Sequence, residues 1–255
     1  MSSLSFTRFI FIVPRQDDDG FLVRLRHAGT VVARGFFNDF DADGTRESAP
    51  SETIQFLIAE GDPSPESAIA AARYAVQVTG KYRPRLAEVD SDLRRRLGDA
   101  AVLVSMEGAE RAPRYTSRDL HDYAYRPAAV RRSGQQAACA IIVPLGKTPE
   151  WWERPALDRH AYFYPHVDAV TGCGVPGHAR AAEEGIPVLY RRLYHNPDGY
   201  GRPGEYDFIT YFECERRHLA TFDRVHAALR DTSKNPEWRY VREGPLWRGR
   251  RVLKW

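Results

Sequence analysis

From Gln135 onward the apolar residues change spacing several times, and that alternation restricts the folds open to the chain more than any other feature. Gln135 to Leu145 is a continuous apolar run of strand length, and Pro187 to His195 and Tyr206 to Cys214 are β-rich runs. After the first of these, Thr148 offers a cap and Pro149 a first helical position where its missing N–H costs nothing, opening a helix at Trp151 and Trp152. Glu215 to Thr232 places Leu219, Phe222, Val225 and Leu229 on one helical face, and Trp238 to Arg242 reads as a last strand. Strand, helix, strand, strand, helix, strand is the split βαβ, or ferredoxin-like, order, in which an antiparallel sheet carries helices on one side.

The first half is more mixed. Leu4 to Val13 and Thr53 to Ala59 are strand candidates, Phe21 to Phe37 has room for one or two more, and Ala100 to Met106 is another. Ser64-Pro65-Glu66 reads as a helix start, with Ile69, Ala72 and Val76 as its apolar face and Gly80 as its stop. Pro84 to Leu97 predicts a second helix through Leu86, Val89, Leu93 and Leu97, followed by Gly98. Asn38 to Ser51 is rich in Asp, Gly and Ser and reads as a loop; Arg126 to Gly134 reads as a linker. The expected class is therefore α+β, with residues 1–125 a divergent copy of the ferredoxin-like plan in residues 135–255.

Composition narrows the partners. With 37 basic residues interspersed among 34 acidic ones, the net charge of +3 does not argue for nucleic acid. The apolar run Phe9 to Val13 stops at Pro14 without a small-residue cleavage site, and no stretch reaches the ~20 apolar residues of a membrane span. The three cysteines, Cys139, Cys173 and Cys214, have neither even count nor metal-type spacing, so zinc is not indicated and a reducing cytoplasm is the simplest home.

Four features of the second half bear on chemistry. The adjacent pair Trp151 and Trp152 points to different faces, so that one can pack in the core while the other lines a flat ligand. His166 follows Pro165, and His178 follows Gly177 at the start of a short segment that closes at Gly185, so either can present an imidazole. In the strand Tyr190 to His195, Arg191, Leu193 and His195 share one face and Arg192 and Tyr194 the other, which directs Arg191 inward as a permanent cation. Glu237, at the entrance of the last strand, is placed to accept a hydrogen bond from an imidazole.

In order and spacing these features resemble the chlorite dismutases, over Arg114 to Arg251. The matching pieces are Arg114-Tyr115-Thr116-Ser117-Arg118, Ile142-Val143-Pro144-Leu145-Gly146-Lys147 before the Trp pair, Arg191-Arg192-Leu193-Tyr194-His195, Asp207-Phe208-Ile209-Thr210-Tyr211-Phe212-Glu213 and Glu237-Trp238-Arg239-Tyr240-Val241. The resemblance implies an α+β barrel of ferredoxin-like repeats, a haem b cofactor and a homo-oligomer, dimer or pentamer. It implies a proximal histidine thirteen positions before the distal Arg191, which falls on His178. Counting from the Trp pair points instead to His166. A Gly- and Pro-rich insertion, Thr171 to Gly177, lies between the two and favours His178 as the iron ligand.

By the same resemblance Glu237 supports the proximal imidazole, and Tyr115, Lys147, Trp151 and Trp152 surround the haem, Lys147 as a counter-charge for a propionate. The implied activity converts chlorite to chloride and dioxygen through a ferryl intermediate, with Arg191 stabilising the oxyanion. Three rivals stand beside it: a coproheme decarboxylase, against which Arg191 speaks; a haem peroxidase or oxidase acting on a peroxide-like or organic substrate; and a binding module that carries or senses haem without turnover, or holds no haem at all.

Overall fold

The apolar run Phe9 to Val13 becomes the middle of the first strand, β1 (Ser5–Pro14), in the computed structural model, which describes residues 5–37, 52–110 and 138–254. Tyr115, the expected loop Asn38 to Ser51 and the expected linker Arg126 to Gly134 lie outside the described residues. The chain divides into two units, Met1–Glu110 with Pro245–Trp255, and Arg111–Gly244. Among the described residues no helix is long and apolar enough to cross a membrane.

In the first unit β1 leads into α1 (Asp19–Phe37), β2 (Thr53–Ala59), β3 (Tyr74–Gly80), α2 (Arg83–Leu97) and β4 (Ala101–Glu110). Two expectations are corrected here. Phe21 to Phe37 is helix, not strand: Phe21, Leu25, Ala28, Val32 and Phe36 recur at helical spacing and are all buried. Asp18 starts it, its Oδ1 accepting from the Phe21 N–H at 2.7 Å.

The second correction is the helix expected after Ser64. Ser64 and Ser67 accept from the N–H groups of Glu66 and Ala70, which is turn chemistry, and Val76 and Gly80 belong to β3. Strand β3 is buried on both faces, so it shows no polar alternation by which a sequence would betray it. β1 pairs antiparallel with β3 and β4, and β2 with β3, giving the order β4-β1-β3-β2. The α1 and α2 side chains Leu25, Val32, Leu86 and Leu93 pack with Ile10, Val76 and Val78 of the sheet into one core.

The second unit runs β5 (Cys139–Lys147), α3 (Pro149–Glu153), α4 (Ala156–Ala161), the short hairpin β6 (His166–Val167) and β7 (Gly174–Val175), α5 (Gly177–Ala182), β8 (Tyr190–His195), β9 (Phe208–Cys214), α6 (Leu219–Arg230) and β10 (Val241–Glu243). β5 pairs antiparallel with β9 and β10, and β8 with β9, so the order is β10-β5-β9-β8. With the β6–β7 hairpin and β11 set aside, the paired strands of each unit follow the order fourth, first, third, second, which is the ferredoxin-like plan. α6 lies on the sheet through Phe222, whose ring meets Phe212 edge to face at 5.1 Å.

The strand expected over Trp238 to Arg242 shrinks to the three residues of β10, because Pro236–Tyr240 winds into a 3-10 turn with proline at its start. The last strand of the chain is β11 (Trp247–Lys254), which pairs with β2 in the first unit. On the side of that sheet away from the helices, buried Arg251 donates to Gln55 (3.0 Å), whose amide donates to Gln77 (2.8 Å).

Candidate functional site

The site is assembled on the helix-bearing face of the second sheet. Arg191 stands opposite Phe212, and Phe212 opposite Ile141; two and six residues along β5 from Ile141, Val143 and Lys147 point the same way. Arg191 and Lys147 therefore share the face that α6 covers. Arg192 takes the other face, its guanidinium 4.6 Å from the Tyr190 ring, while that of Arg191 lies 5.9 Å from the ring centre of Phe212. The pleat has divided two adjacent arginines between two environments.

His178 is delivered by a glycine. Gly177 has φ +78°, and a Cβ there would meet the Tyr164 carbonyl oxygen at 2.4 Å, so neither the conformation nor the space admits a side chain. The chain is then held on both sides of the turn: the Gly177 N–H donates to Lys234 O (3.2 Å) and the His178 N–H to Tyr162 O (3.0 Å). The imidazole rests against Phe163, ring centres 5.1 Å apart.

Opposite it, the 3-10 turn of residues 236–240 presents Glu237. Asn235, fully buried, fixes the entrance to this turn by donating from Nδ2 to Leu229 O at 2.8 Å. Glu237 is buried and bridges two nitrogen-bearing side chains: its Oε2 lies 2.7 Å from His178 Nδ1, and its Oε1 accepts from Lys147 Nζ at 2.5 Å. Burial pushes the Glu237 carboxyl up, but the charges and hydrogen bonds of Lys147 and His178 outweigh it and hold the group well below the usual carboxylate range. Burial pulls the Lys147 ammonium down, with Glu237 opposing.

The ammonium of Lys147 also sits 4.2 Å from the Trp151 ring. The structure thus directs its charge at Glu237 and Trp151. The backbone at Lys147 is pinned as well, its N–H donating to Asp207 Oδ2 at 2.5 Å.

The paired tryptophans separate as their adjacency requires. Trp151 is fully buried and packs with Tyr162 and Tyr240, whereas Trp152 is half-buried and stacks on Tyr200 with ring centres 4.7 Å apart and planes within 6°. His195, on the same sheet face as Arg191, is 2.8 Å from the Tyr200 hydroxyl through Nδ1. His166 lies in β6, its Nδ1 2.9 Å from Tyr164 O.

One cluster escapes the sequence reading altogether. Asp168, just after His166 in the hairpin, receives both Nη groups of Arg239 at 2.9 Å, and its Oδ2 also accepts from Thr171. Arg239 is two residues from Glu237, and the hairpin feeds Gly177 and His178. The ion pair therefore ties the segment bearing the imidazole to the turn bearing its carboxylate. Residues 71 apart carry no local signal of this, although Asp168-x-x-Thr171 is the spacing of a side-chain-capped turn. The bond from Arg239, against a smaller effect of burial, holds the Asp168 carboxyl far below its ordinary value.

The second unit is thus a ferredoxin-like α+β unit that carries a carboxylate-supported imidazole and, on its sheet, an arginine. The comparisons with known proteins place the fold more closely. No protein-family model and no curated protein matches the sequence. Solved structures do match: the chlorite dismutase of Candidatus Nitrospira defluvii in complex with imidazole shares 20% identity over 99% of this chain and 93% of that chain, with a TM-score of 0.67. A mutant of the same protein in complex with cyanide gives 18%, 99%, 92% and 0.69. The chain has the fold of the chlorite dismutases; at these identities the likeness is one of fold.

Proposed function

We propose that the second unit binds haem b, with His178 as the iron ligand, and that the protein is a haem-dependent oxidoreductase acting on a small oxidising anion, chlorite before others. The observation that carries this reading is the His178–Glu237–Lys147 chain on a chlorite dismutase fold. With Nδ1 given to Glu237, Nε2 is the nitrogen left for a metal, and a carboxylate partner fixes that tautomer and makes the ring a stronger donor. Among the described residues His166 has no carboxylate, only a carbonyl oxygen, at its Nδ1. That difference favours His178.

When bound, haem supplies an iron centre able to break and form bonds to oxygen. The residues of this chain do the rest. Glu237 orients His178; Lys147 balances the carboxylate in a buried setting; Trp152 and Phe163 offer flat apolar surface of the kind a porphyrin packs on. Arg191, through the planar donors of its guanidinium, holds an anion and keeps a leaving oxyanion from diffusing away.

The test is dioxygen release from chlorite by haem-loaded protein at an oxygen electrode. The wild type is expected to evolve dioxygen, and Arg191→Ala to lose about 10²-fold in rate while keeping its haem absorption band. Haem-loaded wild type that turns over peroxide but releases no dioxygen from chlorite would overturn the chlorite reading.

A further inference from the structure

Cys139 and Cys214 are present as thiols, and the register of β5 against β9 sets them directly opposite one another. Opposite residues of an antiparallel pair project to the same face with Cα atoms about 4.5–5.5 Å apart. A disulfide needs roughly 4.4–6.8 Å, so both kinds of antiparallel site fall within reach. The two residues are far apart in sequence, and only the ferredoxin-like pairing of first and third strands makes them neighbours. They are the first residue of β5 and the last of β9, at one end of the sheet, where pairing opens most readily. The next pair on their face is Ile141 with Phe212, the residue that faces Arg191.

We propose that Cys139 and Cys214 form a redox pair that closes reversibly into a cross-strand disulfide under peroxide-class oxidants. One thiolate attacks a peroxide oxygen: an S–O bond forms, the O–O bond breaks, and the departing hydroxide takes a proton to become water. The second thiolate attacks that sulfur: the S–S bond forms, the S–O bond breaks, and a second water leaves. Two thiols and one hydrogen peroxide thus give one disulfide and two waters. Side chains 1% and 3% exposed make the first step slow, and the fixed register makes the second fast. The product links β5 to β9 beside the strand that carries Arg191. Exposed Cys173 lies outside these strands and would react without an internal partner.

Native Cys173→Ser protein treated with hydrogen peroxide, then denatured in excess maleimide and analysed by mass spectrometry, decides the matter. The expected result is joint loss of both alkylation sites, a Cys139–Cys214 linked peptide, and full recovery with dithiothreitol. In the Cys173→Ser/Cys214→Ser protein, Cys139 should stop at a sulfenic acid that dimedone traps. Two thiols that remain alkylatable, a sulfinic acid without the cross-link, or a disulfide between two chains in place of the internal one would each overturn the proposal.

Discussion

Glu237 stands between an imidazole and a buried ammonium, and its removal isolates a charge. Glu237→Ala leaves Lys147 without its counter-ion in a site only 5% exposed, and a broken buried pair costs about 3–5 kcal/mol. Adding Lys147→Met should recover part of that loss, a coupling that urea unfolding of the two single variants and the double variant measures. Asp168 permits a test with pH. Its folded-state pKa is depressed, so its contribution is present above the unfolded value of about 3.9 and is lost as pH falls further. Asp168→Asn should therefore be less stable than wild type by about 3 kcal/mol at pH 7. The gap should close as the solution is taken below about pH 4; a gap unchanged at acid pH would mean the pair does not act through its charge. Much at this scale is hidden from sequence. That Arg191 and Arg192 part company follows from strand alternation alone, whereas the direction of Lys147 needs the pairing of β5 with β10, and the Asp168–Arg239 contact needs the whole unit.

Among the elements, α1 is the one that sequence most misrepresents. Its β-branched and aromatic residues and its three glycines imitate strand and turn, and the helical recurrence of Phe21, Leu25, Ala28, Val32 and Phe36 becomes decisive only when a sheet is there to receive it. Two glycines of α1 test it. A methyl at Gly35 meets nothing within 4 Å, so Gly35→Ala should stabilise the protein by about 0.5–1 kcal/mol through helix propensity. A methyl at Gly29 would stand 2.5 Å from the Phe56 ring, so Gly29→Ala should destabilise it. Thermal unfolding of the two variants should move in opposite directions; equal shifts would contradict the helix. The spacing of Ile69, Ala72 and Val76 is the reverse case, a helical recurrence by coincidence across a turn and a strand. Pro84 to Leu97 is plain in the sequence because Leu86, Val89, Leu93 and Leu97 form one helical face that Gly98 ends, and Thr53 to Ala59 because Ile54, Phe56 and Ile58 alternate, although both faces of β2 are buried.

At the scale of the whole chain, both units use one strand order, and their sequences hide the repetition because a sheet order is kept by pattern and not by residue identity. The C-terminal strand β11 belongs to the first unit, which is therefore not continuous in sequence. Trp247 anchors it, 2% exposed and donating from Nε1 to Ala72 O at 2.9 Å. Trp247→Ala should cost about 3–5 kcal/mol in urea unfolding, from lost burial and an orphaned carbonyl. The central claim, that this fold presents His178 to a haem iron, is tested most directly by titrating haem b into the wild type, His178→Ala and His166→Ala and following the Soret band. The account predicts tight uptake by wild type and His166→Ala with loss of stable binding in His178→Ala; uptake that survives in His178→Ala and fails in His166→Ala would contradict it.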